Sequence, residues 1–201
     1  LHTRQLEQAL HSAGMRFRDP AHALLKATAF QHIEKRAPWL LVGLAGGLLG
    51  AGLMERYSAA LQTEFLLAAF VPAILYISNA LGMQTQTLFV RALALEPKLN
   101  LRWFVWREFK IGIYLSILFA AISAMVTLVL WQQHIISIII GLAFAATMLV
   151  GMTTALMLTC LLRKLKVDPG VAGGPFATVM SDLLSLATYV GISVSLIPFL
   201  K

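Results

Sequence analysis

The chain has 201 residues, 59% of them hydrophobic and only 12% charged, with a mean hydropathy of +0.79. A soluble domain of this size has about 25% charged residues, so the composition excludes one and indicates a protein of the lipid bilayer. The net charge of +7 does not announce a nucleic-acid partner, because the Lys and Arg residues cluster between apolar runs, as topology signals do.

Residues 1–35 are polar and of mixed charge, without a signal-peptide pattern. Leu6, Leu10, Ala13 and Phe17 recur at helical spacing before Asp19-Pro20 breaks it, which predicts a short amphipathic helix on the cytoplasmic side. A start at Leu1 rather than Met is expected of a piece of a longer chain or of a trimmed one. Five apolar segments follow within 36–201: Trp39 to about Tyr57, Phe65 to Arg91, Phe109–Leu130, Ile135–Leu162 and Pro175–Leu200. The stretch from Ile111 to Leu162 carries no Asp, Glu, Lys or Arg over 52 residues. That is too long for one crossing of about 20 residues and right for two, joined by the polar turn Trp131-Gln132-Gln133-His134. Backbone groups in lipid need internal partners, and runs this long without alternation exclude barrel strands of about nine to eleven residues. The expected fold is all-α, with a short cytoplasmic segment over 1–35 and a five-helix transmembrane domain over 36–201.

Fourteen of the sixteen Lys and Arg residues flank the start of the first segment, the facing ends of the second and third, or those of the fourth and fifth; Arg56 and Lys201 are the others. This bias predicts a multi-pass protein of the cell membrane with its N-terminus in the cytoplasm and its C-terminus outside. Trp39, Trp103, Trp106 and Trp131 lie near segment ends, as an aromatic belt requires. The single cysteine, Cys160, sits in an apolar run and says nothing of redox compartment.

Asp182 is the one charge inside the fifth segment. A carboxylate at membrane depth costs roughly 2.5–3.5 kcal/mol on insertion scales, so such groups usually face a partner, a cavity or an ion path. Thr178, Asp182, Ser185, Tyr189 and Ser193 follow at steps of three and four and form one polar stripe down a helix face. The stripe reads as the wall of a pore, with Asp182 about a third of the way in. The competing reading has the hydroxyls bonding back to helix carbonyls and Asp182 pairing with a buried donor. No Lys or Arg lies deep in another segment to pair with it. The second segment holds Ser78, Asn79, Gly82, Gln84, Thr85, Gln86 and Thr87; amides at that depth must hydrogen-bond something, and a polar cavity would use them. Pro72 removes a backbone donor there and is expected to kink the helix.

In the first segment, Gly43/Gly47 and Gly46/Gly50 are overlapping Gly-x-x-x-Gly pairs suited to close helix approach. The eight methionines are scattered gap-fillers. Glu108, between Arg107 and Lys110, reads as a partner in local ion pairing. Catalysis finds little support: the five histidines lie outside the segments without metal-ligand spacing, and no nucleophile–base arrangement assembles within the bilayer.

A hard carboxylate among hydroxyls, amides and carbonyls suits a hard cation. Mg²⁺ dehydrates reluctantly and keeps several waters, so one or two carboxylates with outlying neutral oxygens fit it. Two-fold symmetry would set a second Asp182 opposite the first, and closed dimers are the commonest oligomers.

Several motifs resemble the MgtE magnesium channel/transporter family. Arg36-Ala37-Pro38-Trp39-Leu40 is similar to its R-x-P-W-L. Phe70-Val71-Pro72, Gly82-Met83-Gln84-Thr85 and Val90-Arg91-Ala92-Leu93-Ala94-Leu95 resemble F-x-P, G-x-Q-[ST] and V-R-x-L-A-L. Arg107-Glu108 with Gly112 is similar to the K/R-E-x-x-x-G of its third span. Val167-Asp168-Pro169-Gly170, Pro175 and Thr178 through Asp182 resemble V-D-P-A, a proline after small residues, and T-x-x-[TS]-D. The resemblance runs from about Arg36 to Leu196. It implies a homodimer of five-span protomers with a cation pore at the two-fold interface, lined by the second and fifth helices. It further implies that Asp182 binds a largely hydrated Mg²⁺. Departures accompany it. The family's G-G-N falls on Ser78, Asn79 and Ala80, which displaces the asparagine by one position; Tyr57-Ser58 stands where many members have F-E; Leu183-Leu184-Ser185-Leu186 follows the aspartate in place of x-x-G-F. The family's paired CBS modules are not found in this sequence.

The expected function is transport of Mg²⁺ through a dimeric pore. Asp182 and Thr178 are its expected metal site, and Asn79, Gln84, Thr85, Ser185 and Tyr189 its pore lining. The alternatives are another divalent cation (Mn²⁺ or Co²⁺), exchange against Na⁺ or H⁺, or a non-transporting assembly subunit whose Asp182 pairs with a partner's cation.

Overall fold

The computed structural model describes residues 28–62, 64–96, 99–164 and 174–200; the amphipathic helix expected near the N-terminus and the Val167–Gly170 motif lie outside them. Among the described residues the chain is all-helical: α1 (Ala29–Arg56), the short α2 (Ser58–Gln62), α3 (Phe65–Leu95), α4 (Leu101–Trp131), α5 (His134–Lys164), α6 (Gly174–Leu196) and a closing 3₁₀ turn (Ile197–Leu200). All but α2 and the 3₁₀ turn are long and apolar enough to cross a membrane.

The helices outrun the apolar segments that announce them. At 1.5 Å per residue, the 31 residues of α4 reach about 46 Å, well beyond a hydrocarbon core of about 30 Å. Helix α4 therefore starts eight residues before Phe109, where Arg102, Arg107, Glu108 and Lys110 interrupt the hydropathy without interrupting the backbone. Arg, Lys and Glu are good helix formers, and Asn100 caps the helix by accepting from the Trp103 N–H at 3.2 Å. Gln132, left-handed at φ 56°, ends it and turns the chain into α5. Helix α3 runs through Pro72 unbroken.

Helix α5 is the centre of the bundle. Of its span, 61% is buried, against 11–28% for the other four, and it packs on α3, α4 and α6, while α1 packs on α6. Two apolar clusters form around it. One joins Leu67 and Ile74 of α3, Ile139, Ile140 and Phe144 of α5, and Tyr189 and Val190 of α6. The other joins Leu81, Phe89 and Leu93 of α3, Phe104 of α4, and Met148, Met152 and Leu156 of α5, with Phe89 and Phe104 stacked at 5.0 Å. Between the clusters α3 and α5 approach closely: a Cβ on Gly82 would lie 3.1 Å from the Gly151 carbonyl oxygen, and one on Gly151 only 2.8 Å from that of Ser78. Only glycine allows backbones so near. This crossing fixes α6, and with it the polar stripe.

Candidate functional site

Asp182 lies about two turns into the span of α6, half-buried. Its Oδ1 accepts a hydrogen bond from the Asn79 amide of α3. Two residues that stand out separately in the sequence are thus brought together, and the partner the carboxylate finds is neutral. The negative charge stays uncompensated by that bond. Among the described residues no group of three His, Cys, Asp or Glu side chains assembles.

Two spaces open beside it. A cleft of about 300 Å³ lies between α1, α3 and α6, walled by Gly43, Gly46, Gly47 and Gly50, by Val71 and Leu75, and by Asp182 itself with Val179 and Leu186. Its mouth is apolar apart from the carboxylate. Two of the glycines make the packing contact predicted for them: a Cβ on Gly46 would overlap Val179, and one on Gly50 would touch Leu186. Gly43 and Gly47 would meet nothing within 4 Å and leave the cleft wide. The second space is a crevice of about 10 Å³ between Asn79, Gly82 and Gln86 of α3 and Thr178 and Ser181 of α6, backed by Ala155. That is room for about one water molecule. Ser181 is buried, and its Oγ has no hydrogen-bond partner among the described residues.

The rest of the predicted set divides. Thr178 is half-buried beside Asn79. Ser185 is 1% exposed; its hydroxyl lies 2.8 Å from Ser78 Oγ, and Ser78 donates to the Thr147 carbonyl of α5 at 2.6 Å. The hydroxyl of Tyr189, fully buried, donates to the Leu67 carbonyl of α3. Thr85 is buried and Gln84 exposed, while Thr87 bonds back to the Met83 carbonyl at 2.8 Å. Glu108 is 4% exposed and lies on the face where Gly112 meets Met152 of α5; the charge of Arg107 acts on it, as local ion pairing expects, while Arg107 and Lys110 also lie over the Trp103 and Trp106 rings. Sequence reading missed two features of the site. Ser181 could have been found as the neighbour of a lone carboxylate. The Thr147 carbonyl is a backbone acceptor, and no residue type announces it.

Residues 71–192 match the family model MgtE, described as a divalent cation transporter. That stretch contains α3 from Val71 onward, α4, α5 and α6 through Ile192, including both Asn79 and Asp182. The chain is 28% identical over 172 residues to the magnesium transporter MgtE of Bacillus subtilis, covering 84% of this chain and 38% of that protein. It is 29% identical over 163 residues to the magnesium transporter MgtE of Enterococcus faecalis, covering 80% and 36%. The corresponding Thermus thermophilus protein is 27% identical over 164 residues, covering 79% and 35%. The chain therefore spans less than two-fifths of the length of the curated relatives it matches.

Proposed function

Because the chain belongs to the MgtE family of divalent cation transporters, we propose that it carries Mg²⁺ across the cell membrane, through a pore lined by α3 and α6 where two protomers meet. The observation that carries the proposal is the pairing of Asp182 with Asn79. A membrane carboxylate bonded to an amide is oriented but not neutralised, and it stands at the edge of an open cleft. Magnesium is the named cargo of the relatives.

One carboxylate per protomer supplies little field for a divalent ion, and a two-fold axis doubles it. Mg²⁺ keeps most of its water shell, so Asp182 and its symmetry mate act on it through water, with the Asn79 amide and the Thr178 hydroxyl bounding that shell. In this reading Ser185 and Tyr189 hold α6 in place from behind. Moving a divalent ion across the whole membrane gains about 4.6 kcal/mol per 100 mV, enough for passive entry. The distribution of Lys and Arg supports an N-terminus, with residues 1–35, in the cytoplasm and a C-terminus outside, with residues 36–201 as the transport domain in this reading.

The test is Mg²⁺ flux into proteoliposomes by wild type and Asp182→Asn, with dimer mass and melting temperature measured on the same preparations. The proposal expects flux to fall to background in the variant while the dimer and its melting persist. Wild-type flux in Asp182→Asn would overturn it. Wild-type assays with Mn²⁺ and Co²⁺, and with Na⁺ or H⁺ gradients, then identify the cargo and any coupling.

A further inference from the structure

The first three turns of α4 carry a surface that ion passage does not use. Arg102, Trp103, Trp106, Arg107 and Lys110 are all exposed. At 3.6 residues per turn they fall within an arc of about 140° of the helix circumference. The Arg107 guanidinium lies 5.5 Å from the centre of the Trp103 ring, and the Lys110 ammonium 5.6 Å from that of Trp106. The one carboxylate in this stretch, Glu108, is turned into the protein and 4% exposed, so among the described residues of the stretch the exposed outer face carries three cations and no carboxylate. A hollow of about 720 Å³ opens along Asn100, Leu101, Arg102, Trp103, Val105 and Trp106.

We propose that this end of α4 binds the headgroup of an anionic phospholipid from the leaflet in which the helix begins. Charge complementarity selects an anion. Arg binds phosphate oxygens in a planar fork, and Lys adds a point charge. The indole rings at this depth mark the headgroup zone, and the cations stacked on them are held out toward it. The same helix face continues as Tyr114 and Ile117, 73% and 61% exposed, an apolar track for the lipid's chains. That continuity favours a lipid over a soluble anion. Clustered juxtamembrane cations are the usual recognition chemistry for acidic lipids. The inference depends on membrane insertion alone and stands or falls independently of the ion carried.

The experiment is native mass spectrometry of the purified full chain, titrated with phosphatidylglycerol or with phosphatidylcholine of matched chains. Wild type is expected to retain the anionic lipid at least about tenfold more readily. Arg102→Gln/Arg107→Gln/Lys110→Gln should bring the two lipids to near parity with helix content and melting unchanged, and Trp106→Leu should reduce the preference partway. Equal retention by wild type overturns the proposal without need of any variant. A folded triple variant with undiminished preference overturns it as well. Displacement of the lipid by excess inorganic phosphate, beyond that caused by chloride of matched ionic strength, assigns the patch to a soluble anion and overturns it too.

Discussion

The polar stripe of α6 has two halves that look alike in sequence and differ in what they meet. Ser185 and Tyr189 are shut inside the protomer, one beside Ser78 and the Thr147 carbonyl, the other on the Leu67 carbonyl. Asp182, less than one turn before Ser185, accepts from a neutral amide of α3 and borders open space. Hydroxyls can be satisfied by backbone carbonyls that any neighbouring helix supplies. A carboxylate accepts and cannot donate, so the carbonyl-rich interior of the bundle offers it nothing. The stripe is thus part adhesive and, in the proposed function, part site, and the change occurs where α3, α5 and α6 cross.

The comparison is broken most severely at that crossing. Gly151→Ala would place a methyl group 2.8 Å from the Ser78 carbonyl oxygen and 3.2 Å from Ser181 Oγ, and a backbone carbonyl has no rotamer to retreat into. A loss of about 3 kcal/mol is expected, read as earlier unfolding in a denaturing-detergent titration, with α6 released from α5 and flux lost along with the fold. Asp182→Asn should show the opposite: flux lost, unfolding unchanged or later, since the variant removes a charge that is costly at this depth. Equal stability of Gly151→Ala and wild type would mean that the crossing is looser than the glycine contacts indicate.

Much of this arrangement is legible in the sequence, for reasons that can be named. The five helices long enough to cross a membrane follow from hydropathy because lipid leaves a chain few ways to satisfy its backbone. Asp182 and Asn79 each stand out as polar groups where polarity is costly. Their mutual contact does not stand out, because pairing between helices depends on how each is rotated about its axis, and α5 sets that rotation. The Thr147 carbonyl belongs to no special residue type. Periodicity likewise gathers Asp182, Ser185 and Tyr189 on one face without telling which part of that face α3 and α5 will cover. The start of α4 was hidden for a different reason: charges that end a hydropathy run do not end a helix.

A smaller effect sharpens the contrast on the α1 side of the cleft. Gly46 and Gly47 are adjacent and both glycine, yet a Cβ on the first would overlap Val179 and on the second would meet nothing. Replacing glycine by alanine inside a helix gains roughly 0.5–1 kcal/mol, whereas an overlap with a β-branched side chain costs about 1–3 kcal/mol. Gly46→Ala should therefore lower stability by about 1–2 kcal/mol, and Gly47→Ala should raise it by about 0.5–1 kcal/mol. Unfolding titrations of the two variants side by side decide the point. Destabilisation by Gly47→Ala would show that this face of α1 is packed in the assembled protein and that the cleft beside Asp182 is filled there.

The smallest expected effect asks whether Ser185 belongs with the adhesive half. Ser185→Ala removes one hydroxyl but leaves the 2.6 Å bond from Ser78 to the Thr147 carbonyl, so no buried acceptor is orphaned. Interhelical hydrogen bonds in membranes average about 0.6 kcal/mol, and a loss of that size is expected, with Mg²⁺ flux per folded dimer close to wild type. The discriminating quantity is therefore the flux. If Ser185→Ala lowered transport severalfold at unchanged stability, the hydroxyl would have to face water in the conducting form, and α6 would have to rotate about its axis to bring it there. The two halves of the stripe would then be one wall seen in two positions, with the Ser78–Thr147 bond as the catch between them. Unaltered flux leaves Asp182 and Thr178 as the face α6 offers to an ion, with Ser185 holding that face in place.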